Sequence, residues 1–405
     1  MKILIVHPDS PNNRGDRAIL SGSIKMLKDK WPQAEIIGFS ENPVRDAEWM
    51  GIKFLKIPVQ SVNPVNMMRT MHWARKSDMV LWGGGEIMKD YTNKLALWYW
   101  VVKMYLIYLV NKDLYGFYQG IGPTSATSSK KGIAFIVNRT KAFPVRDQES
   151  KDKLLNWGTK SPVIASYDTA IMDDPAPLDK TLESKLSKQY DIDSNFINNC
   201  TGFAPKAWFH YKHGGLLPYK YRHMFKPKIQ ETKKSKQLYQ NIAELADYTV
   251  EKHDTNILFV PMHLSEGEND PGIARRVISL MKHSDRTRLI DRDELSPQEL
   301  ITVIGRCKAF VGVRLHSTIL ATIASVPTLV FYYVDKGRLF FKQTDMERFS
   351  YPVESLIEEN MMPEFKSKID SLFTERDSIR ATQSDKIAMM KKDIRATFDN
   401  CTDTS

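Results

Sequence analysis

Cysteine is scarce in this sequence, and no apolar run is long enough to cross a membrane. Cys200, Cys307 and Cys401 are the only cysteines, and their odd number and wide spacing argue against a disulfide scaffold or a structural zinc site and favour a reducing compartment. The longest apolar stretch, 95–110, contains Lys103 and ends short of the about 20 residues that a transmembrane helix needs. We expect a buried helix there, with a face resting on a membrane as the alternative.

Other absences narrow the expected location and chemistry. The first residues, MKILIVHPDS, are too short for a signal peptide and predict a strand, so we expect a cytoplasmic protein, with the inner face of the membrane as the alternative location. The chain contains no HExxH, Walker A, GxGxxG or GxSxG pattern, and we therefore predict no metal and no cofactor.

The charge balance favours anionic partners. The formal net charge is +10, which suits phosphorylated substrates, a membrane surface or nucleic acid. Nucleic acid is the least favoured of these because the lysines and arginines are scattered along the chain.

The most informative stretch that is present is 309–333. Ala309–Val313 predicts a buried strand and Thr328–Tyr333 a second one, with a helix between them. Arg314 and His316 fall in the turn where that helix begins, and a helix N-terminus attracts anions. Arginine adds a planar fork for phosphate or carboxylate, and histidine can bind an anion or transfer a proton. This pattern favours an anion site. The alternative is that Arg314 and His316 only satisfy the hydrogen-bonding groups at the end of the strand.

Strands and helices alternate in both halves of the chain, which predicts parallel sheets covered on both faces. A polar linker over 173–193 separates the halves, so we predict an N-terminal Rossmann-like domain over 1–190, a second one over 195–345 and a helical tail over 346–405. Two such domains enclose a cleft, where substrates normally bind. The main predicted strands lie at 2–7, 35–39, 54–58, 78–82, 114–119, 142–145, 163–165, 200–204 and 256–261.

In the second half, cationic side chains follow several strands. Lys206 and His263 come directly after predicted strands and should face the same cleft as Arg314 and His316, with Lys336 nearby. Such a basic wall suits a small, multiply charged anion.

In the first half, glycine-rich and polar loops follow the strands. Asp16 and Glu86 are candidates for a general base, with helix capping as the alternative for each. The remaining residues are predicted to contact a polar ligand through side chains, or through the backbone at the glycines: Asn13, Arg14, Gly84, Gly85 and Gln119.

Five short motifs occur in order along the chain. They are NRGDRAI at 13–19, GGGE at 83–86, GIGP at 120–123, VRDQES at 145–150, and RLH at 314–316 with Pro327 and YVDK at 333–336. Each motif is weak alone, but five in order at sensible spacing are fairly specific. They follow one another as they do in the polysaccharide pyruvyl transferases, a family that this chain resembles over residues 1–345.

The resemblance implies an α/β, GT-B-like fold of two Rossmann-type domains. It also implies transfer of pyruvate from phosphoenolpyruvate to two hydroxyls of a sugar, giving a cyclic ketal and phosphate.

The resemblance also implies roles for individual residues. The family's Arg-Leu-His turn holds phosphoenolpyruvate, here Arg314, Leu315 and His316, and Lys206 stands where the family tends to use arginine. The C-terminal domain is then the donor side and the N-terminal domain the acceptor side. His316 or His263 would serve as the acid.

Asp16 or Glu86 would serve as the base in this scheme, and no metal or cofactor is required. The acceptor is a free glycan, a nucleotide sugar or a lipid-linked precursor, and the last of these would bring peripheral membrane contact. A nucleotide-sugar glycosyltransferase of the same architecture and a non-catalytic glycan- or anion-binding protein are the alternatives. The sequence leaves the oligomeric state open.

Overall fold

The computed structural model describes residues 1–7, 12–91, 93–208, 232–333 and 336–403, without the side chain of Lys336. The N-terminal half contains a parallel sheet with the order β3-β2-β1-β4-β5 and a parallel pair, β6-β7. A bridge between Gln119 and Val145 links the pair to the end of β5. The strands are β1 (Lys2–Val6), β2 (Glu35–Ser40), β3 (Lys53–Lys56), β4 (Met79–Gly83), β5 (Leu114–Phe117), β6 (Phe143–Val145) and β7 (Val163–Ala165).

The second half contains a six-stranded parallel sheet with the order β10-β9-β8-β11-β12-β13. In both sheets the first strand of the half lies between two later strands, so each sheet has a switch point where loops diverge and ligands usually bind. The strands are β8 (Cys200–Ala204), β9 (Asn256–Phe259), β10 (Thr287–Leu289), β11 (Phe310–Gly312), β12 (Thr328–Tyr332) and β13 (Ser350–Pro352).

Helices connect the strands, as right-handed parallel crossovers require. In the described part of the chain they are α1 (Arg14–Lys30), α2 (Pro43–Met50), α3 (Pro64–Arg75), α4 (Lys94–Val110), α5 (Thr127–Val137), α6 (Gln148–Asn156), α7 (Lys180–Tyr190), α8 (Ser194–Asn198), α9 (Lys233–His253), α10 (Asp270–Ile278), α11 (Pro297–Gly305), α12 (Leu315–Ile323), α13 (Lys336–Gln343), α14 (Met362–Thr374) and α15 (Arg376–Asp403).

The chain beyond 345 is not a separate tail. Strand β13 belongs to the second sheet, past the predicted boundary at 345. Helix α15 returns to the first half, where Phe398 packs against Trp31 and Phe117 and the Tyr118 hydroxyl donates to the Ile394 carbonyl at 2.7 Å. The apolar side of α15 therefore completes the core of the N-terminal domain.

The apolar stretch 95–110 is a helix, α4, with one buried side. Trp100, Met104 and Ile107 are buried, and Lys103 is buried with its ammonium group donating to the Val59 carbonyl. Burial lowers the pKa of Lys103 to about 8. In the described residues, no helix has both the length and the apolarity to cross a bilayer.

Candidate functional site

Arg314 lies between β11 and α12, with its guanidinium group facing two carboxylates. Its Nε donates to Asp270 at 2.5 Å, and Nη2 donates to Asp270 at 2.8 Å and to Glu268 at 2.7 Å. Asp270 is fully buried and also accepts the His263 backbone N–H at 2.9 Å. The Asp270 contact therefore fixes the direction of the Arg314 fork.

Glu268 joins the two cations of the predicted basic wall. Lys206 Nζ lies 2.7 Å from the same Glu268 oxygen that Arg314 contacts. Burial alone would raise the pKa of Glu268, but the charges of Arg314 and Lys206 hold it well below its usual range. The Glu268 side chain is 22% exposed, so this carboxylate sits at the solvent side of the cluster.

His263 adjoins the same cluster but does not extend its positive charge. Its Nδ1 lies 2.9 Å from the Ser265 hydroxyl. Burial, followed by the neighbouring Arg314, lowers the pKa of His263 to about 4. The ring is therefore neutral at pH 7, and the structure gives the predicted wall two cationic side chains, Lys206 and Arg314, in its described part.

His316 points the other way, towards the N-terminal domain. Its Nε2 lies 3.5 Å from Asp168, a buried residue just after β7. Burial by itself would raise the pKa of Asp168, but the interactions with His316 and Arg146 lower it to about 2. Asp168 is therefore ionised at neutral pH, and its carboxylate lies within ion-pair distance of the imidazole.

Arg146 continues this chain of charges into the N-terminal loops. Its guanidinium group lies 3.3 Å from Asp168 and 3.3 Å from Glu86. Glu86 also lies 3.5 Å from Lys89. The row Glu86–Arg146–Asp168–His316 thus crosses from one domain to the other.

Two glycines make room for the row. A Cβ at Gly15, in the first turn of α1, would lie 2.4 Å from the His316 ring, and one at Gly120 would lie 2.5 Å from the Arg146 guanidinium group. These glycines permit the close approach of helix and loop to the two side chains.

A cleft of about 380 Å³ opens beside these residues, between the two domains. Glu86, Gly122 and Asp147 line it from the N-terminal domain, and Tyr332 and Tyr333 from the C-terminal domain. The Lys206 ammonium group lies 5.1 Å from the centre of the Tyr333 ring, so the cleft and the basic cluster share a wall.

The residues predicted to contact the acceptor lie in different environments. Asn13 caps α1, accepting the Gly15 N–H and donating to Asp16 at 2.8 Å; Asp16 is thus in the first turn and is not the cap that was one of its predicted roles. Gly84 and Gly85 have φ values of 90° and 67°, which favour glycine. A Cβ at Gly84 would strike the His7 ring, and one at Gly85 would come 3.5 Å from the Asp16 carboxylate.

Arg14 and Gln119 are engaged inside the protein. Arg14 donates to the carbonyls of Pro261 at 2.6 Å, Ile290 at 3.0 Å and Arg292 at 2.6 Å, and burial lowers its pKa to about 10. It joins the domains. Gln119 is 0% exposed and donates to the Trp82 carbonyl. The structure thus gives both side chains partners other than a ligand in the cleft.

Two further predicted residues, Leu315 and Lys336, offer no described side chain to a ligand in the cleft. Three acidic residues of the site were not predicted: Asp168, Glu268 and Asp270. The Leu315 side chain is buried, which leaves its backbone N–H at the start of α12, and the side chain of Lys336 lies outside the described residues. Asp168 follows strand β7, so the strand-end rule could have found it. Glu268 lies in a polar loop and Asp270 is the first residue of α10, and the sequence does not reveal the direction of that loop.

Comparison with known proteins decides the family. The sequence model of the polysaccharide pyruvyl transferase family matches residues 13–335, most of the chain. The chain belongs to this family. No curated protein matches it significantly in sequence.

Solved structures similar to this pyruvyl transferase family member share its fold. UDP-GlcNAc 2-epimerase from Neisseria meningitidis is 14% identical with a TM-score of 0.58, and the match covers 100% of both chains. A glycosyltransferase from Rickettsia africae is 14% identical with a TM-score of 0.56, covering 100% of this chain and 99% of that one.

The ADP-heptose LPS heptosyltransferase II of E. coli is 14% identical with a TM-score of 0.52, covering 93% of this chain and 100% of that one. These likenesses confirm the predicted GT-B-like architecture of two Rossmann-type domains. Together with the family, they support a polysaccharide-modifying transferase.

Proposed function

We propose that the protein transfers pyruvate from phosphoenolpyruvate to two hydroxyls of a sugar in a glycan or glycan precursor, forming a cyclic ketal and releasing phosphate. The observation that carries the proposal is the pair of cations Lys206 and Arg314 on the partly exposed carboxylate of Glu268, beside a cleft between the domains. An anionic donor can replace Glu268 on these two cations while Asp270 keeps the arginine in place. The reducing cytoplasm is the proposed location, at the membrane if the acceptor is lipid-linked.

The donor carries a carboxylate and a phosphate, and the site offers complementary charge. Arg314 and Lys206 bind one of these anions, and the backbone N–H groups at the start of α12, including that of Leu315, favour an anion as well. Lysine provides charge without the two-pronged contact of arginine, so Lys206 serves electrostatically and Arg314 sets orientation.

His316 is the proposed acid. The methylene carbon of the donor takes a proton, and a sugar hydroxyl then adds to the adjacent carbon, which bears the phosphate. A second hydroxyl then displaces the phosphate from that carbon. His316 is assigned the first step because its ring lies at the junction of the two domains, 3.5 Å from the carboxylate of Asp168. His263, with its pKa lowered to about 4, does not fit.

Two carboxylates are available to accept the hydroxyl protons. Glu86 lines the cleft but lies near the cations Arg146 and Lys89, which weaken it as a base. Asp16 faces the Gly85 backbone at the start of α1. The acceptor sugar would therefore lie between the glycine loop and the two tyrosines of the cleft.

The test is acceptor-dependent phosphate release. The protein is incubated with phosphoenolpyruvate and a panel of glycosides, nucleotide sugars and lipid-linked sugars, and phosphate and the acceptor mass are measured together. The proposal expects one phosphate per ketal formed. Release of a nucleoside diphosphate from a nucleotide sugar without phosphoenolpyruvate would instead establish glycosyl transfer, and binding of donor or glycan without any product would establish a non-catalytic role.

Two histidine variants test the acid. His316→Gln should lower turnover by roughly 10²–10⁴-fold, as loss of a general acid does. His263→Gln is the matched control and should keep turnover within a few-fold of wild type. Equal turnover in wild type and His316→Gln would remove His316 from the mechanism.

A further inference from the structure

The N-terminal domain presents an apolar face on three neighbouring helices. Helix α4 packs between α3 and α5. Its exposed apolar side chains recur mostly every three to four residues, so they form one stripe along the solvent side of the helix. The Tyr105 ring lies 5.3 Å from that of Phe135 on α5, which joins the stripe to the next helix. The following side chains on the three helices are 39% to 61% exposed: Val65, Met68, Leu95, Trp98, Val102, Leu109 and Phe135.

The three helices of this apolar face carry charged side chains of only one sign. Helices α3, α4 and α5 contain no aspartate or glutamate. Cations cover its aromatic rings instead: the Arg139 guanidinium group lies 3.4 Å from the centre of the Phe135 ring, and the Lys112 ammonium group lies 3.6 Å from that of Tyr108. The face therefore repels cationic partners and attracts anionic ones.

We infer that this face binds the surface of a membrane that contains anionic lipids. Exposed apolar and aromatic side chains enter the boundary between headgroups and acyl chains, while the surrounding lysines and arginines contact lipid phosphates. Helix α4, about 25 Å long at 1.5 Å per residue, would lie along the surface. Its other side is packed in the core, where buried Lys103 donates to the Val59 carbonyl.

Two short chain segments connect this apolar face to the cleft. Glu86 and Pro123 line the cleft, and the segments that follow them lead into the first residues of α4 and α5. Bound in this way, the domain would hold the cleft near the headgroups, within reach of a sugar carried on a lipid. This last step rests on the proposed function, whereas membrane binding itself does not.

The experiment is co-sedimentation of the full chain with phosphatidylcholine vesicles, with and without phosphatidylglycerol, in the absence of substrates. Wild type should sediment with the anionic vesicles and lose binding when salt is raised. The double variant Trp98→Glu and Val102→Glu should weaken binding by about tenfold or more, because it removes apolar area and adds two repelled charges.

A matched control distinguishes damage to the apolar face from the change in net charge. Val44→Glu with Met389→Glu adds the same charge at exposed apolar positions on α2 and α15 and should bind vesicles as wild type does. Thermal melting of both variants checks that they fold. Equal losses in both double variants, no sedimentation of wild type, or equal binding to neutral vesicles would overturn the inference.

Light scattering tests whether a second copy of the chain, instead of a membrane, covers the apolar face. A wild-type dimer that becomes a monomer in the Trp98→Glu and Val102→Glu variant, without vesicle binding by wild type, would also overturn the inference. The vesicle experiment contains no donor or acceptor, so a negative result would not contradict pyruvyl transfer. Likewise, absence of pyruvyl transfer would not contradict membrane binding.

Discussion

At the scale of single residues, Glu268 competes with the proposed donor. It occupies the two cations Arg314 and Lys206, each at 2.7 Å, and must leave before an anion binds. Glu268→Gln removes the competing charge and should lower the KM for phosphoenolpyruvate by about threefold to tenfold, as expected for one partly exposed charge. Steady-state kinetics with the donor varied would measure the change.

Glu266 gives the control for that experiment, because it lies in the same loop and is exposed. Glu266→Gln should leave KM unchanged. A higher KM in Glu268→Gln would mean that this carboxylate supports the donor site.

His263 makes stability depend on pH. Its pKa falls from 6.5 in the unfolded chain to about 4 in the folded protein, so the unfolded chain binds a proton first as the pH drops. Stability should therefore fall between pH 6.5 and pH 4, on the order of 1–3 kcal/mol for this group. Urea denaturation across that window, in wild type and His263→Gln, should show a smaller loss in the variant.

His283 is the comparison, since it is exposed at the surface beside Glu251. A similar change of slope in His283→Gln would show that loss of any histidine, and not the burial of His263, produces the effect. If His263→Gln and wild type had the same slope, the ring would not be held neutral.

Individual site residues were predictable where they lie next to a strand. Arg314, His316 and Lys206 follow short runs predicted as buried strands, and the structure places each of them within four residues of a strand end. Arg14 was not predictable in the same way, because its carbonyl partners lie about 250 to 280 residues away in the other domain. Long-range partners decide whether such a cation faces a ligand or the protein.

At the scale of elements, helix α1 carries two glycines with different neighbours. A Cβ at Gly15 would meet the His316 side chain, whereas one at Gly22 would lie 2.0 Å from the Thr169 carbonyl oxygen. Gly15→Ala should displace His316 and lower turnover about tenfold or more at nearly unchanged stability. Assays of turnover and melting temperature measure both effects.

Gly22→Ala is the paired variant on the same helix. It should destabilise the protein by roughly 1–3 kcal/mol, since backbone cannot move as easily as a side chain. Loss of stability in Gly15→Ala equal to that in Gly22→Ala would show that His316 is not free to shift.

Elements were predictable according to their length and pattern. Strands β1 and β11 contain continuous apolar runs, and α4 coincides with a long one. Strand β10 is three residues, Thr-Arg-Leu, and β13 is Ser-Tyr-Pro, so neither has the apolar run or alternation that marks a strand. Tertiary pairing, and not local preference, makes them strands.

At the scale of the whole molecule, Asp293 ties the domains together. It accepts two hydrogen bonds from Arg17 and pairs with Arg45 at 2.6 Å. Asp293→Asn removes the charge between these arginines and should cost about 1–3 kcal/mol, because partly buried cations lose their partner. Chemical denaturation measures the loss.

Asp291→Asn is the nearby control, since Asp291 pairs with Arg275, a largely exposed side chain. It should change stability by less than about 0.5–1 kcal/mol. Similar losses in both variants would indicate that Asp293 does not join the domains.

The return of α15 to the first domain has a consequence for synthesis. The Tyr118 hydroxyl and its partner carbonyl at Ile394 are 276 residues apart in the chain, and Lys30 likewise pairs with Asp399 and Asp403. At ~5–20 residues per second, a ribosome needs roughly 15–55 s to make the intervening chain. The N-terminal domain therefore emerges first, with Trp31 and Phe117 uncovered, until the segment that contains Ile394 and Phe398 is translated and completes its core.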